Sequence, residues 1–168
     1  VHSMLGAGGM GEVWKARDNE LGRWVALKFL KGELGDDERA RFLREAQTAG
    51  RLNHPNIAAV VEVGEDPPHI AMQFIEGRTL RRSGAKDRRE LAKWIRDAAR
   101  ALAHAHEQGV VHRDLKPDNL MVTGSGHLFV MDFGLARTVE SNQTVSGLVV
   151  GTPADMPPAQ ARGVKAAA

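Results

Sequence analysis

The stretch His112-Arg113-Asp114-Leu115-Lys116-Pro117-Asp118-Asn119 gathers an Asp, a Lys two residues on and an Asn five residues on. That spacing is too tight for one helix face and too polar for a strand, so the stretch reads as a rigid loop presenting side chains to a ligand. Asp132-Phe133-Gly134 follows the apolar run Leu128 to Met131. An acid at the end of a buried strand, followed by Gly, suits a metal ligand better than a random turn. Asn119 and Asp132 together offer hard oxygen donors of the kind Mg²⁺ accepts, completed by phosphate oxygens and water.

Near the N-terminus, Gly6-Ala7-Gly8-Gly9-Met10-Gly11-Glu12-Val13 fits G-x-G-x-x-G-x-V. A dinucleotide site needs a helix directly after such glycines, and here a strand-like run, Glu12 to Ala16, follows instead. Glycines between two antiparallel strands let the backbone lie close over phosphates, with a merely flexible hairpin as the bland alternative. Val25-Ala26-Leu27-Lys28 puts Lys28 on the second strand of that sheet, although most lysines are simply solvated. Glu45 lies beside the apolar Ala46 and Ala49 of a helix, where an unpaired carboxylate is costly. A Lys28–Glu45 ion pair would remove that cost and aim the ammonium at a phosphate; a solvated helix acid is the other reading. His104 and His106 stand two apart on a helix, face different ways and cannot chelate together, so they and His112 read as structural.

The elements that must position these residues follow from pattern. Glu12 to Ala16 and Arg23 to Leu30 are strand-like, with a turn between them. Acids at 36–38 open a helix on which Phe42, Ala46, Ala49 and Leu52 recur at helical spacing, and His54-Pro55-Asn56 breaks it. Strands are predicted over Ile57 to Val63 and His69 to Ile75. Beyond Glu76-Gly77, Leu91, Trp94, Ile95, Ala98, Ala101, Leu102 and Ala105 form one apolar stripe on a long helix that Gly109 can cap. Short strands at Leu120 to Val122 and Leu128 to Met131 flank the chemical loops. Ala136 to Gly151 is polar and aperiodic.

Composition narrows the function classes. The 168 residues are 42% hydrophobic and 26% charged, an ordinary globular balance, and the net charge of +2 with no basic run interleaved with aromatics argues against nucleic acid. The chain contains no Cys, which excludes disulfides and thiolate metal sites and fits a reducing, cytoplasmic setting. No stretch approaches the roughly 20 apolar residues that span a bilayer.

Taken in order and at their spacings, "LGAGGMGEVW", "VALK", "RFLREA", "LNHPNI", "IEGRTL", "HRDLKPDNLMV", "DFGLAR" and "GTPADM" make the chain similar to the eukaryotic-like serine/threonine protein kinases of bacteria. The resemblance runs from about residue 3 to Gln160. It implies an α+β, two-lobed fold: an antiparallel-sheet N-lobe with one helix over 1–75, and an incomplete, mainly helical C-lobe over 76–168. It implies an enzyme that transfers the γ-phosphate of Mg-ATP to Ser or Thr of a protein substrate. In it Asp114 takes the hydroxyl proton, Lys116 neutralises charge on the transferred group, and Lys28 and Glu45 complete the catalytic set. Leu5, Gly6, Ala7, Gly8, Gly9, Met10, Gly11, Val13, Ala26, Lys28, Met72, Gln73, Phe74 and Ile75 would line the nucleotide, the last three as the hinge whose backbone pairs with adenine. Asn119 and Asp132 would hold Mg²⁺. Arg113 before the base suggests an activation segment ordered by phosphate, with Thr144 and Ser146 as the candidate phosphosites.

The chain also departs from the family pattern. Asp155-Met156-Pro157-Pro158-Ala159 stands where Tyr-Met-Ser-Pro-Glu is usual, so the acid that anchors the segment is replaced by Ala159. The sequence is expected to begin inside the first strand and to end before the later helices, leaving an apolar face of the 91–105 helix exposed and prone to self-association. A nucleotide-binding remnant or scaffold without turnover therefore stands as the second reading, and a small-molecule phosphotransferase as a weaker third.

Overall fold

The computed structural model describes residues 1–8, 11–30 and 35–133, and of Glu38 the backbone alone. Gly9, Met10, Thr144, Ser146 and Ala159 lie outside the described residues. The described chain is α+β. Strands β1 (Ser3–Gly8), β2 (Gly11–Arg17) and β3 (Trp24–Phe29) precede helix α1 (Asp36–Ala49), and β4 (Val60–Glu65) and β5 (Pro68–Gln73) complete an antiparallel five-stranded sheet in the order β1-β2-β3-β5-β4. After it come β6 (Gly77–Thr79), the short α2 (Leu80–Ser83), the long α3 (Arg88–Glu107), a 3₁₀ turn at Pro117–Asn119, and strands β7 (Leu120–Thr123) and β8 (Leu128–Val130), which form a second sheet with β6.

Local chemistry accounts for the joints. The β2–β3 turn closes on Asp18, whose Oδ1 accepts from the amides of Glu20 and Leu21 at 3.1 Å while Oδ2 receives Arg23 Nε. Helix α3 opens on Asp87, which accepts from the Arg89 and Glu90 amides, and Glu90 reaches back to the Lys86 amide at 2.7 Å. Gly109, at φ 73, releases the chain after it.

Gly11 shows how tightly the first sheet is packed. It sits at φ 134, and a Cβ there would lie 1.9 Å from the Phe29 carbonyl oxygen, whereas one on Gly6 or Gly8 would meet nothing within 4 Å. The first glycines thus leave open space above the backbone, and the last is required by the strand beside it.

The cores explain the element boundaries. One cluster joins the sheet to α1 through Ala26, Phe42, Ala46, Ile70 and Met72, with Phe42 fully buried; burial of such a ring contributes about 1.5–3 kcal/mol. The second gathers Trp94, Ala98, Ala101 and Ala105 of α3 with Leu128, Val130 and Phe133, and it also takes in Ala49, Leu52 and Ile57 from the earlier half. That second cluster overrides the expected strand over 57–63. Ala58 donates to the Val130 carbonyl at 3.0 Å, Val130 donates to the Asn56 carbonyl at 2.8 Å, and Asn56 Nδ2 donates to the Leu128 carbonyl at 2.8 Å. Residues 56–58 are spent on this seam, so β4 starts only at Val60. The predicted α3 stripe also divides: Trp94 and the alanines are buried, while Leu91 and Ile95 are 40% and 58% exposed. No helix among the described residues is long and apolar enough to cross a membrane.

His54 closes the same seam. Its Nδ1 accepts from the Asn56 amide at 3.0 Å, and its ring stands 5.3 Å from that of His104 on α3. Burial, and secondarily the His104 charge, lower its pKa from the ordinary 6.5.

Two outcomes follow from this architecture. Because the unfolded chain binds the His54 proton at higher pH than the folded chain, stability is complete above the ordinary value of 6.5 and declines as pH falls below it. Urea midpoints taken between neutral and acid pH should show the decline, and His54→Asn, whose Oδ1 can still accept from the Asn56 amide, should make it shallower, the remainder belonging to His112, whose pKa burial also lowers. Gly11→Ala should lower the unfolding free energy by about 1–3 kcal/mol through overpacking, while Gly6→Ala and Gly8→Ala leave the urea midpoint nearly unchanged.

Candidate active site

Strand register places several of the predicted nucleotide-handling residues on one face. Gly6, Val13, Lys28 and Ile70 stand opposite one another across β1, β2, β3 and β5, and Lys15, Ala26 and Met72 form the neighbouring row. Partners in an antiparallel ladder project to the same side, so Val13, Ala26, Lys28 and Met72 share a face. Ala26, Lys28 and Met72 are buried, while Leu5 and the β1 glycines with Ala7 are exposed at the sheet's edge. Gln73 ends β5, with Phe74 and Ile75 directly after it. A small apolar recess behind Met72 is bounded by Leu52, Ile57, Val60, Asp132 and Phe133.

The buried Lys28 ammonium lies 3.1 Å from Asp132 Oδ1. This differs from the expected Lys28–Glu45 pair: among the described residues the carboxylate against Lys28 is that of Asp132, and Glu45 Oε1 stands 3.9 Å from Arg113 Nη1. Helix phase sets which way Glu45 points from α1, but the separation of α1 from β3 is a tertiary quantity, and here Asp132 comes nearer. Asp132 achieves this at φ 58, and Arg113 sits at φ 65. Both are non-glycine residues in the left-handed region, a strain that persists only where surrounding contacts enforce it.

Those contacts can be named. His112 is 2% exposed; its Nε2 donates to the Met131 carbonyl at 2.8 Å and its Nδ1 accepts from the Asp114 amide at 3.3 Å. That pattern requires a neutral ring, and burial lowers the pKa of His112 despite opposing contributions from Met131, Asp132 and Asp114. Its ring also packs 4.8 Å from that of Phe133. The expectation of a structural role for His112 is met.

Asn119 binds the two loops together. Its Nδ2 donates to the Asp114 carbonyl at 2.7 Å and to Asp114 Oδ2 at 3.1 Å, and its own carbonyl accepts from the Met131 amide at 2.8 Å. Lys116 Nζ donates to the same Asp114 Oδ2 at 2.7 Å. Arg81 of α2 was not anticipated here; it clasps both oxygens of Asp118 at 3.0 and 2.8 Å and so holds the 3₁₀ turn that carries Asn119. A pairing across 37 residues, from an element the periodicity did not reveal, leaves no sequence signal.

A divalent metal fits these donors. Asp132 Oδ1 is buried without a hydrogen-bond donor aligned on it, its neighbour being the Lys28 ammonium. Turning the Asn119 Nδ2 to Asp114 directs its Oδ1 elsewhere as an acceptor. One carboxylate, one amide oxygen and no soft ligand suit Mg²⁺ completed by phosphate. No group of three or more His, Cys, Asp or Glu able to hold a metal without such help occurs among the described residues.

Comparison with known proteins identifies the family of the chain. A family model described as protein kinase domain matches residues 1–165. The probable serine/threonine-protein kinase SCO3848 of Streptomyces coelicolor is 44% identical over 95% of this chain, which covers 26% of that relative. Serine/threonine-protein kinase PknB of Mycobacterium leprae is 41% identical over 95% of the chain and 28% of its own length. Serine/threonine-protein kinase PknA of Mycobacterium tuberculosis is 39% identical over 97% of the chain and 41% of its own length. The chain thus spans between about a quarter and two fifths of the length of these relatives.

Asn119→Ala removes both donations to Asp114, and while Lys116 still serves Oδ2 the Asp114 carbonyl loses its side-chain donor, so the metal-free chain should lose about 1–3 kcal/mol of unfolding free energy, the penalty of leaving a partly buried acceptor unmet. Urea denaturation in the presence of a chelator measures it.

Proposed function

Because the chain belongs to the protein kinase domain family, we propose that it transfers the γ-phosphoryl group of Mg-ATP to Ser or Thr hydroxyls of a protein substrate. The observation that carries this reading is Asp114, whose carboxylate is held by Lys116 and Asn119 on a loop tied through Asn119 and His112 to Met131, the residue before Asp132. An oriented carboxylate beside an ammonium is what acceptance of a hydroxyl proton next to a developing phosphoryl charge requires.

In this reading Asp114 Oδ2 accepts the proton of the substrate hydroxyl as its oxygen attacks phosphorus. Lys116, 2.7 Å from that oxygen, is placed to neutralise charge on the transferred group. Lys28 binds the phosphates, and Glu45, whose Oε1 stands 3.9 Å from Arg113 Nη1, completes the catalytic set. The backbone over Leu5–Gly8 and through Gly9, Met10 and Gly11 covers the phosphates, since the open space above Gly6 and Gly8 admits a close approach. Val13, Ala26 and Met72 pack on the adenine, and the backbone of Gln73, Phe74 and Ile75 pairs with its edge. Asn119 and Asp132 would hold Mg²⁺, which when bound neutralises phosphate charge. Residues 1–75 then serve as the nucleotide-covering lobe and 76–168 as the lobe carrying the catalytic loop. Positioning and charge stabilisation supply most of the rate, because phosphoryl transfer asks little covalent work of a protein.

A nucleotide-binding module without turnover is the second reading, favoured by Ala159 where the family pattern carries an acid. Transfer of labelled γ-phosphate to a generic Ser/Thr substrate separates the two. Asp114→Asn should lower the rate by about 10² or more by removing the base, and Lys28→Met should weaken ATP binding. Binding without transfer in the unsubstituted chain would establish the second reading. Where transfer to self occurs, mass spectrometry should find phosphate first at Thr144 or Ser146; phosphate confined to other sites would remove that assignment.

A further inference from the structure

Lys15 has a position that no catalytic role explains. The β2–β3–β5 register puts it opposite Ala26, which stands opposite Met72, so it shares the face that carries Val13 and Lys28. Its Nζ lies 4.4 Å from the centroid of the Trp24 ring and 4.5 Å from that of the Phe74 ring. Among the described residues no carboxylate forms an ion pair with it. A half-buried ammonium is thus accommodated by two aromatic faces, whose negative quadrupoles attract it. Trp24 is itself fixed, with the Arg17 guanidinium 5.3 Å from its ring and the His2 ring edge-on at 5.2 Å.

The consequence lies in what the two rings belong to. Trp24 opens β3, and Phe74 is the first residue past β5, where the strand pairing stops. Beyond Gln73 the backbone of the 73–75 segment has no β3 partner to set its direction. The buried Ile75 side chain and the Phe74 ring, which packs on the Ala26–Met72 cluster, orient it locally, and Lys15 adds a tie from that ring to the β2–β3 hairpin. We propose that Lys15 is a positioning residue: by bridging Trp24 and Phe74 it sets the orientation of the 73–75 backbone and so the affinity for the adenine ring, not for the phosphates. This rests on the assignment of residues 73–75 to adenine pairing.

The site can be read without turnover, by calorimetric titration of the chain with adenosine and, separately, with a non-hydrolysable Mg·ATP analogue. Lys15→Ala should weaken both ligands by the same factor, about three- to tenfold for two cation–π contacts. Lys15→Met keeps the apolar stem and should lose nearly as much, whereas Lys15→Arg, which also stacks on rings, should restore binding. Lys28→Met provides the contrast, since it should weaken the ATP analogue and leave adenosine unchanged. Equal binding by Lys15→Met and the unsubstituted chain, or a loss confined to the triphosphate, would overturn the role of Lys15 alone. An unsubstituted chain that binds neither ligand would overturn the nucleotide reading and this role with it.

Discussion

The buried ammonium of Lys28 is the constraint around which the rest is arranged. At 6% exposure it is costly to leave without a carboxylate nearby, and the structure brings Asp132 to 3.1 Å by turning that residue into the left-handed region. The pair links a strand of the first sheet to the segment that follows β8 in the second. Its electrostatic value is moderated because Asp132 remains 29% open to solvent. Its geometric value is larger: it holds the two residues to which phosphate and metal binding are assigned at one place on the molecule.

Asp132 holds that conformation because the backbone before it is anchored on both sides. The Met131 carbonyl accepts from His112 Nε2 and its amide donates to the Asn119 carbonyl, so one residue makes two hydrogen bonds with the loop that presents Asp114. A protonated His112 could not accept from the Asp114 amide while donating to Met131, and burial keeps the ring neutral. Loop and strand end therefore behave as one polar network. Buried networks of this kind are stable when every member is satisfied and expensive when one is removed.

Much of this was legible in the chain. The period-2 runs located β2, β3 and β5 to within a residue or two, and the helical stripe located α3, because those patterns reflect burial against a single large surface. The seam of residues 56–58 with β8 was hidden, since its partners lie more than 70 residues away and, apart from the Asn56 side-chain amide, pair through main-chain atoms that every residue carries. The short β6 and α2 were hidden for a related reason: each is too brief to show a period.

The candidate site divides along the same line. Residue type and order alone marked Lys28, Asp114, Lys116, Asn119 and Asp132 as the candidate groups, because charge, donor set and local spacing are written into the chain itself. Only the tertiary structure decided which of them meet: Asp132 and not Glu45 at Lys28, Asn119 turned onto Asp114, Arg81 closed on Asp118, and Lys15 between Trp24 and Phe74. Pairing at a distance depends on how far apart two elements pack, and that separation is set by the summed volumes of the side chains between them, which no local pattern records.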